Sequence, residues 1–385
     1  MSGIEKLETP VVPKRLNILV FISLLAPLLL ASPALGAAPL GTVSIPVADQ
    51  SRGEREAAVR EAMQVVVLRL TGREGYLEMP EVEAVLRQSN RFLQQFSYQS
   101  IAPIEVERDG KQVELPLSLQ VRFDVNAVQA ALQGRGVPLW ARERPRTQVW
   151  LALSTGSGRQ LVRSERTVID DQNPVDSLRR AAAYRGVPVE LPAASGAAGR
   201  VGFEDVWSVY DQPLRQAAES AGANNALAVS LFAQSGSRNW VGRFTLLTRE
   251  GDSLYWESTG EDLDAVLAAG IGELAERYAT EFSVVSSFGG GGTVKLEIEG
   301  VTTLEEYGRV SSYLTSLSAV SAIGPVKVGG DSLLFEIELT GSSRALQRAI
   351  SLGSMLVEVS RDEVFSLGVP SLETAEDPVL KYRLR

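Results

Sequence analysis

Between Glu54 and Leu70, Ala58, Ala62, Val65 and Val66 fall at i, i+4, i+7 and i+8, one face of an α-helix. Val67, Leu68 and Leu70 widen that face, which predicts a deeply packed helix, and Gly72 is its natural stop. A strand over Val43–Val47 precedes it. A second helix opens near Pro80, a favoured first-turn residue, and carries Val82, Val85, Leu86 and Phe92. Two β runs, Phe96–Val106 and Gln112–Phe123, flank the hairpin signal Asp109-Gly110, and Asp124 is placed to cap a helix through Leu132. These elements make a first module, residues 42–146, in the order β-α-α-β-β-α.

The second module spans 147–286. Gln148–Leu153 is an apolar strand, and Val175–Tyr184 and Val206–Ala221 are helix candidates. Residues 193–200 are small and Gly-containing and predict a mobile loop. Ala226–Ala233, Trp240–Thr248 and Ser253–Glu257 form an antiparallel meander with turns at Ser235-Gly236-Ser237 and Gly251-Asp252. Leu263, Val266, Leu267, Ile271, Leu274, Ala275 and Tyr278 then make one continuous helical stripe.

Residues 287–292 end in four glycines and predict a linker. In the third module, 293–360, Val294, Leu296 and Ile298 alternate with charged residues as a half-buried strand. Thr303 with Glu306 is a capping box before a helix carrying Leu304, Tyr307, Val310, Leu314 and Leu317. Two strands follow, Val320–Val328 and Leu333–Leu339, then a helix near Ser343–Leu352 and a strand near Met355–Val359. The order β-α-β-β-α-β is ferredoxin-like. The expected fold class is α+β, three small modules with an extended tail over 361–385.

Composition narrows the chemistry. The 385 residues include no Cys and no His, which excludes imidazole bases, thiol nucleophiles, disulfides and thiolate metal sites. A metal could be held only by oxygen ligands, and none is expected. The net charge of −9 argues against a nucleic-acid partner. The first 36 residues read as a secretory signal peptide: Lys14 and Arg15, an apolar Leu16–Leu30, then Ala34-Leu35-Gly36 before a cleavage point. The expected location is the periplasm; the alternative is an inner-membrane anchor by an uncleaved leader, for which the apolar run is short of roughly 20 residues.

The candidate sites are few. Gly270-x-Gly272-x-x-Ala275 has the letters of a dinucleotide fingerprint but lies inside a helical stripe, where no helix N-terminus can take a pyrophosphate. Gly156-Ser157-Gly158 reads as a turn. Asp170-Asp171, Glu204-Asp205, Asp262 with Asp264, and Glu305-Glu306 sit at helix starts or in loops, where acidic groups favour the helix dipole. Asp49, Arg52, Glu54 and Arg55 form a polar cluster where the first helix begins; capping and local ion pairing explain it most simply. Five tryptophans lie in or beside the second module, and Trp207, Trp240 and Trp256 are candidates for a ligand face, set against the commoner role of core packing. No catalytic residue and no cofactor is assigned.

Several separated segments carry a resemblance: Asp49-Gln50-Ser51, Glu54-Arg55-Glu56-Ala57-Ala58, Thr71-Gly72, Phe92–Tyr98, Val121–Asp124, Gly136–Trp140 and Val149–Ala152. Together, over roughly residues 40–280, they resemble the domain of unknown function 2066 (DUF2066) family of proteobacterial exported proteins. That resemblance implies no activity and no catalytic residues. The second module's pattern is also similar, in outline alone, to the amino-terminal domain of TolB-type envelope proteins. The reading is a non-enzymatic interaction or adaptor protein that binds another envelope protein through the second or third module, where an exposed strand of the third could accept a partner strand. The alternative is a small-ligand or glycan binder using the tryptophans. A carboxylate and divalent-ion enzyme is the least supported.

Overall fold

A computed structural model describes residues 39–108, 110–156, 158–163, 167–169, 172–233, 239–249, 251–284, 292–329, 332–359 and 379–385. The leader, the turn Ser235-Gly236-Ser237, all but the last residue of the glycine linker, Asp170-Asp171 and Ser157 lie outside the described residues. The fold mixes α and β, as the alternating periodicities imply. The described residues belong to one compact unit.

The first sheet has the order β1-β3-β2 and is antiparallel throughout. The elements of this part of the chain are β1 (Thr42–Val47), α1 (Arg52–Thr71), α2 (Pro80–Leu86), β2 (Leu93–Arg108), β3 (Lys111–Phe123), α3 (Val125–Gln133) and the short β4 (Leu139–Trp140), which is not part of that sheet. Val43, Ile45 and Val47 of β1 and Leu119, Val121 and Phe123 of β3 share a core with Ala58, Ala62, Met63 and Val66 of α1. Ser51 caps α1 by accepting from the amide of Glu54 at 3.3 Å. Gly72 ends it in the left-handed conformation, φ 71°, with its amide on the Leu68 carbonyl. The predicted second helix is shorter than its apolar residues imply, and Phe92 closes a 3-10 turn instead.

The second sheet has the path β10-β9-β8-β5-β6, with β7 paired beside β5. In chain order the next elements are β5 (Thr147–Thr155), β6 (Gly158–Val162), α4 (Pro174–Arg185), β7 (Val189–Glu190), α5 (Gly196–Arg200), α6 (Phe203–Trp207), α7 (Asp211–Ser220), β8 (Asn225–Ala233), β9 (Trp240–Leu247), β10 (Ser253–Gly260), α8 (Leu263–Phe282) and β11 (Ser283–Val284), the last pairing with β4 in a separate two-stranded sheet. Strands β5 and β8 are parallel neighbours. Both read as near-continuous apolar runs because both faces of the sheet are covered. Val149, Leu151 and Leu153 face a cluster with α4 and α8, while Trp150 and Ala152 face one with α6 and α7. Two expectations are corrected. The helix expected over 206–221 is broken between α6 and α7, where Val209 has φ 53°, a strained value for a β-branched residue. Part of the expected loop 193–200 is the helix α5, whose Ala198 packs in the cluster that holds Trp150.

The third sheet holds β12 (Thr293–Glu299), α9 (Leu304–Ser316), β13 (Val320–Gly329), β14 (Ser332–Leu339), α10 (Ser343–Leu352), β15 (Leu356–Glu358) and β16 (Val379–Leu384). The capping box reads as predicted: the Thr303 hydroxyl accepts from the Glu306 amide, and the Glu306 carboxylate accepts from the Thr303 amide. Of the expected tail, 361–378 lie outside the described residues, and its end departs from expectation. Residues 379–384 are no free arm; they form β16, inserted between β12 and β15 in the order β13-β14-β12-β16-β15. Leu380, Tyr382 and Leu384 alternate toward the core and Lys381 and Arg383 away from it, so the strand was readable as a period of two.

Arginine side chains, and one asparagine, from one part of the chain donate to backbone carbonyls in another, most of them at helix ends. Arg69 donates to the carbonyls of Ala183 and Thr42 at 2.8 and 2.7 Å. Arg144 donates to those of Gly186 and Arg69 and lies over the Trp140 ring at 4.0 Å. Arg185 donates to the carbonyls of Gly72 and Gly272. Arg249 and Asn224 reach Ser351 and Leu352 at the end of α10, and Arg348 reaches Glu281 near the end of α8. The last turn of a helix presents unpaired carbonyls and partial negative charge, so such contacts satisfy acceptors that packing would otherwise strand.

Candidate functional site

The polar cluster predicted at the start of α1 meets the β2–β3 hairpin twice, at Arg108 near its tip and at Phe96 nearer its base. β1 pairs with β3 only from Thr42↔Arg122 to Val47↔Leu117, so Lys111–Pro116 of β3 extend past β1 and have β2 as their strand partner. The α1 opening turn lies beside this arm. Arg108 near the hairpin tip pairs with Glu54 at 2.7 Å. The other end of that link is local: the Ala48 amide donates to the same Glu54 oxygen at 3.1 Å. Arg55 lies over the ring of Phe96, 5.5 Å from its centroid. Phe96 is 43% exposed and stands edge-on to Tyr98.

The remaining two members of the cluster act locally. Asp49 accepts from the Ser51 amide at 2.8 Å, and the Ser51 hydroxyl and amide hold its carboxyl below the usual carboxylate value. Arg52 pairs with Glu56 one turn along at 2.8 Å, in the open. Such an exposed i,i+4 pair, screened by solvent, adds little to stability. Thus the structure links Glu54 and Arg55 to the hairpin and leaves Asp49 and Arg52 in capping and local pairing. The sequence could place the four residues together, but not Arg108 and Phe96 with them. Those contacts depend on a hairpin register that is shifted between Ser100 and Ile104, so three residues on β2 face one on β3.

The arm has two unlike faces. Ile104 faces Leu115 and Val106 faces Val113 on one side; Glu105 faces Glu114 and Glu107 faces Gln112 on the other. Ile104 is 44% exposed. The outer edge of β2 carries no strand among the described residues. Pro103 lies at the bulge, and a proline with a bulge interrupts an edge that would otherwise pair along its whole length.

The tryptophan candidates do not share a face. Trp240 and Trp256 are buried, at 6% and 7% exposure, in the cluster under α8. Trp256 stacks on Phe244 and donates to the Gly270 carbonyl, so its polar atom is already engaged. Trp207 is half-buried in the opposite cluster, stacked on Phe203 at 5.2 Å and edge-on to Phe232. The sheet separates them, so the three cannot line one cleft.

The remaining candidates resolve into packing and caps. Gly270 lies in α8 against the Phe244 ring, which explains the glycine without a dinucleotide. Gly156 and Gly158 flank the tight β5–β6 turn. Asp262 caps α8 through the Ala265 amide, Asp264 pairs with Arg180, and Glu204 lies 3.7 Å from Arg159. Asp205 accepts from the Gly202 amide. Among the described residues no three carboxylates gather to hold a metal ion.

A model of a domain of unknown function (DUF8605) matches residues 34–141. This overturns the resemblance to DUF2066: the matching family is a different one, confined to the first part of the chain. The matched stretch runs from before β1 to the end of β4 and so contains the whole first sheet, its helices and the arm. No curated protein and no solved structure matches the chain. Over residues 34–141, this chain is similar to the DUF8605 domain.

Proposed function

We propose that the protein is a non-enzymatic docking protein of the bacterial cell envelope, and that the outer edge of β2, with the α1 opening turn beside it, is its contact surface. The observation that carries this reading is the outer edge of β2 beside exposed Phe96 and Ile104. An open edge offers backbone donors and acceptors to a partner strand, and neighbouring apolar side chains supply selectivity. Phe96 under Arg55 presents an aromatic surface with a cationic rim, and the pairing of Arg108 with Glu54 holds the arm against α1. The partner we expect is another envelope protein; its strand would pair along Leu93–Gln99, before the bulge at Pro103. Location in the periplasm rests on the leader pattern in residues 1–36. No described helix is long and apolar enough to cross a membrane.

We also read the chain as three modules, the third of them ferredoxin-like. What supports this is the strand path β13-β14-β12 with α9 and α10 in the split order, and the separate hydrophobic clusters of the first and third sheets. β16 is an addition to that plan: it takes the place beside β12, and β15 pairs outside it.

The test is site-specific photo-crosslinking in living cells. A photoreactive residue at Phe96 or Ile104 should yield one discrete adduct with an envelope protein, while the same residue at Tyr255, exposed on β10, should not. Adducts at Tyr255 alone, or none at Phe96 and Ile104, would overturn the assignment of the surface.

A further inference from the structure

The place held by β16 has the features of a strand-acceptor site. On one side, β16 runs parallel to β12, with Lys295↔Val379 through Glu299↔Arg383 in register. On the other, it runs antiparallel to β15, with Leu356↔Leu384 through Glu358↔Tyr382. β15 has three residues and no strand partner other than β16 among the described residues. The two walls of the slot are therefore joined within the sheet only through the inserted strand.

The slot reads a defined pattern. Tyr382 is 3% exposed in the core cluster, and Leu380 and Leu384 pack against it. On the opposite face Lys381 pairs with Glu297 at 3.2 Å and Arg383 with Glu299 at 2.7 Å. A ligand strand must therefore be apolar at alternate positions, with an aromatic ring in the middle and basic residues between. The Leu-Lys-Tyr-Arg-Leu segment of this chain meets each of these requirements.

The connection does not oblige the strand to fill its own slot. Antiparallel neighbours need only two to five residues between them. Here 19 residues, 360–378, separate Val359 from Val379. At roughly 3.3 Å per residue they can reach about 60 Å, more than the width of a small domain. Every contact that β16 makes with β12 and β15 would be reproduced by the identical strand of another molecule. Exchange of an identical element between copies is a low-cost route to a dimer.

We propose that the slot between β12 and β15 takes the β16 strand of a second copy, joining two chains by reciprocal strand exchange. This self-association is independent of the arm's partner, and each can fail without the other.

The absence of cysteine makes the test clean. Light scattering on the natural chain over a range of concentrations should show a dimer. Two single variants, E297C and K381C, carried on chains with tags of different mass, are then unfolded together, refolded and oxidised. Exchange predicts a disulfide-linked species containing one of each tag, and the pair E299C with R383C should give the same species. The double variant E297C/K381C on one chain shows whether that pair can bond. A chain that is monomeric at every concentration overturns the proposal. So does a dimer in which neither pair links the two tags while the double variant closes within its own chain.

Discussion

The indole N–H of Trp256 donates to the backbone carbonyl of Gly270 at 3.1 Å, across the interface between β10 and α8. Phe244 stacks on the same indole, 5.5 Å between centroids and 9° between planes. The three residues form one contact: glycine lets the helix descend onto the phenyl ring, and the descent brings its carbonyl within reach of the indole.

Gly270→Ala tests this contact. Helix propensity alone would favour alanine by about 1 kcal/mol. A Cβ at this position, however, falls inside the van der Waals radius of the Phe244 ring. Overpacking of a filled core costs about 1–3 kcal/mol and here also lengthens the bond to Trp256. The expected net effect is a loss of about 1–2 kcal/mol. Urea unfolding of the variant measures it, and tryptophan emission should shift as the Trp256 environment opens. An increased midpoint would mean that the ring yields and the glycine serves some other end.

Arg144 binds two helix ends at once, through the carbonyls of Arg69 and Gly186. Burial and the neighbouring Arg69 guanidinium push its pKa down to about 9, so it stays charged at neutral pH at some cost. Arg144→Met keeps most of the volume and removes the donors. Relief of the repulsion from Arg69 offsets part of the loss, but two buried carbonyls are left without this donor, each costing about 1–3 kcal/mol. The variant should unfold about 2–3 kcal/mol more easily. Arg144→Lys should recover little, because one ammonium cannot fork between two helix ends and does not stack on Trp140 as a planar group does. Full recovery by lysine would show that charge alone is what this position supplies.

Tyr382 shows the opposite balance. Its hydroxyl is buried and has no hydrogen-bond partner among the described residues, and burial together with Glu358 raises its pKa. Tyr382→Phe keeps the ring that fills the core and removes the stranded oxygen. Stability should rise by about 1 kcal/mol, the desolvation cost of an unpaired polar group. A clear loss in thermal unfolding would reveal a bound water or partner at that oxygen.

The parts of this fold that were legible in the sequence are those with local causes. Gly72 stops α1 because the left-handed conformation suits glycine, and Thr303 with Glu306 starts α9 because the two side chains reach each other across one turn. The β16 strand has an equally clear alternation, but it is short and follows a long charged stretch broken by prolines, which reads as a tail. Its partner β12 lies some 80 positions earlier, as the register Leu296↔Leu380 shows, and no local pattern reveals such a pairing. The arginine caps were hidden for the same reason. Arg69 and Arg144 look like ordinary surface charges until the ends of α1 and α4 are brought to them. At the candidate site, Asp49, Arg52, Glu54 and Arg55 were visible as a group, whereas the joining of Glu54 to Arg108 and of Arg55 to Phe96 required the hairpin's shifted register.

Glu306 sets a pH dependence whose sign follows from its bonds. Its carboxylate accepts from the amides of Thr302 and Thr303 and from the Thr302 hydroxyl, at 2.8, 2.9 and 3.1 Å. Those backbone and hydroxyl donors favour the charged form and lower its pKa from 4.5 to about 2. A carboxyl group whose pKa is lower folded than unfolded contributes stability above the unfolded value and loses it as protons bind. The contribution of Glu306 is therefore complete above pH 4.5 and fades as the pH falls toward 2. Glu306→Gln keeps an acceptor for the capping box and cannot titrate. Urea midpoints for the natural chain and the variant should differ by a constant amount above pH 4.5 and converge below it, because protonation makes the natural side chain equally neutral. Parallel curves down to pH 2 would mean that the α9 cap draws nothing from the carboxylate charge.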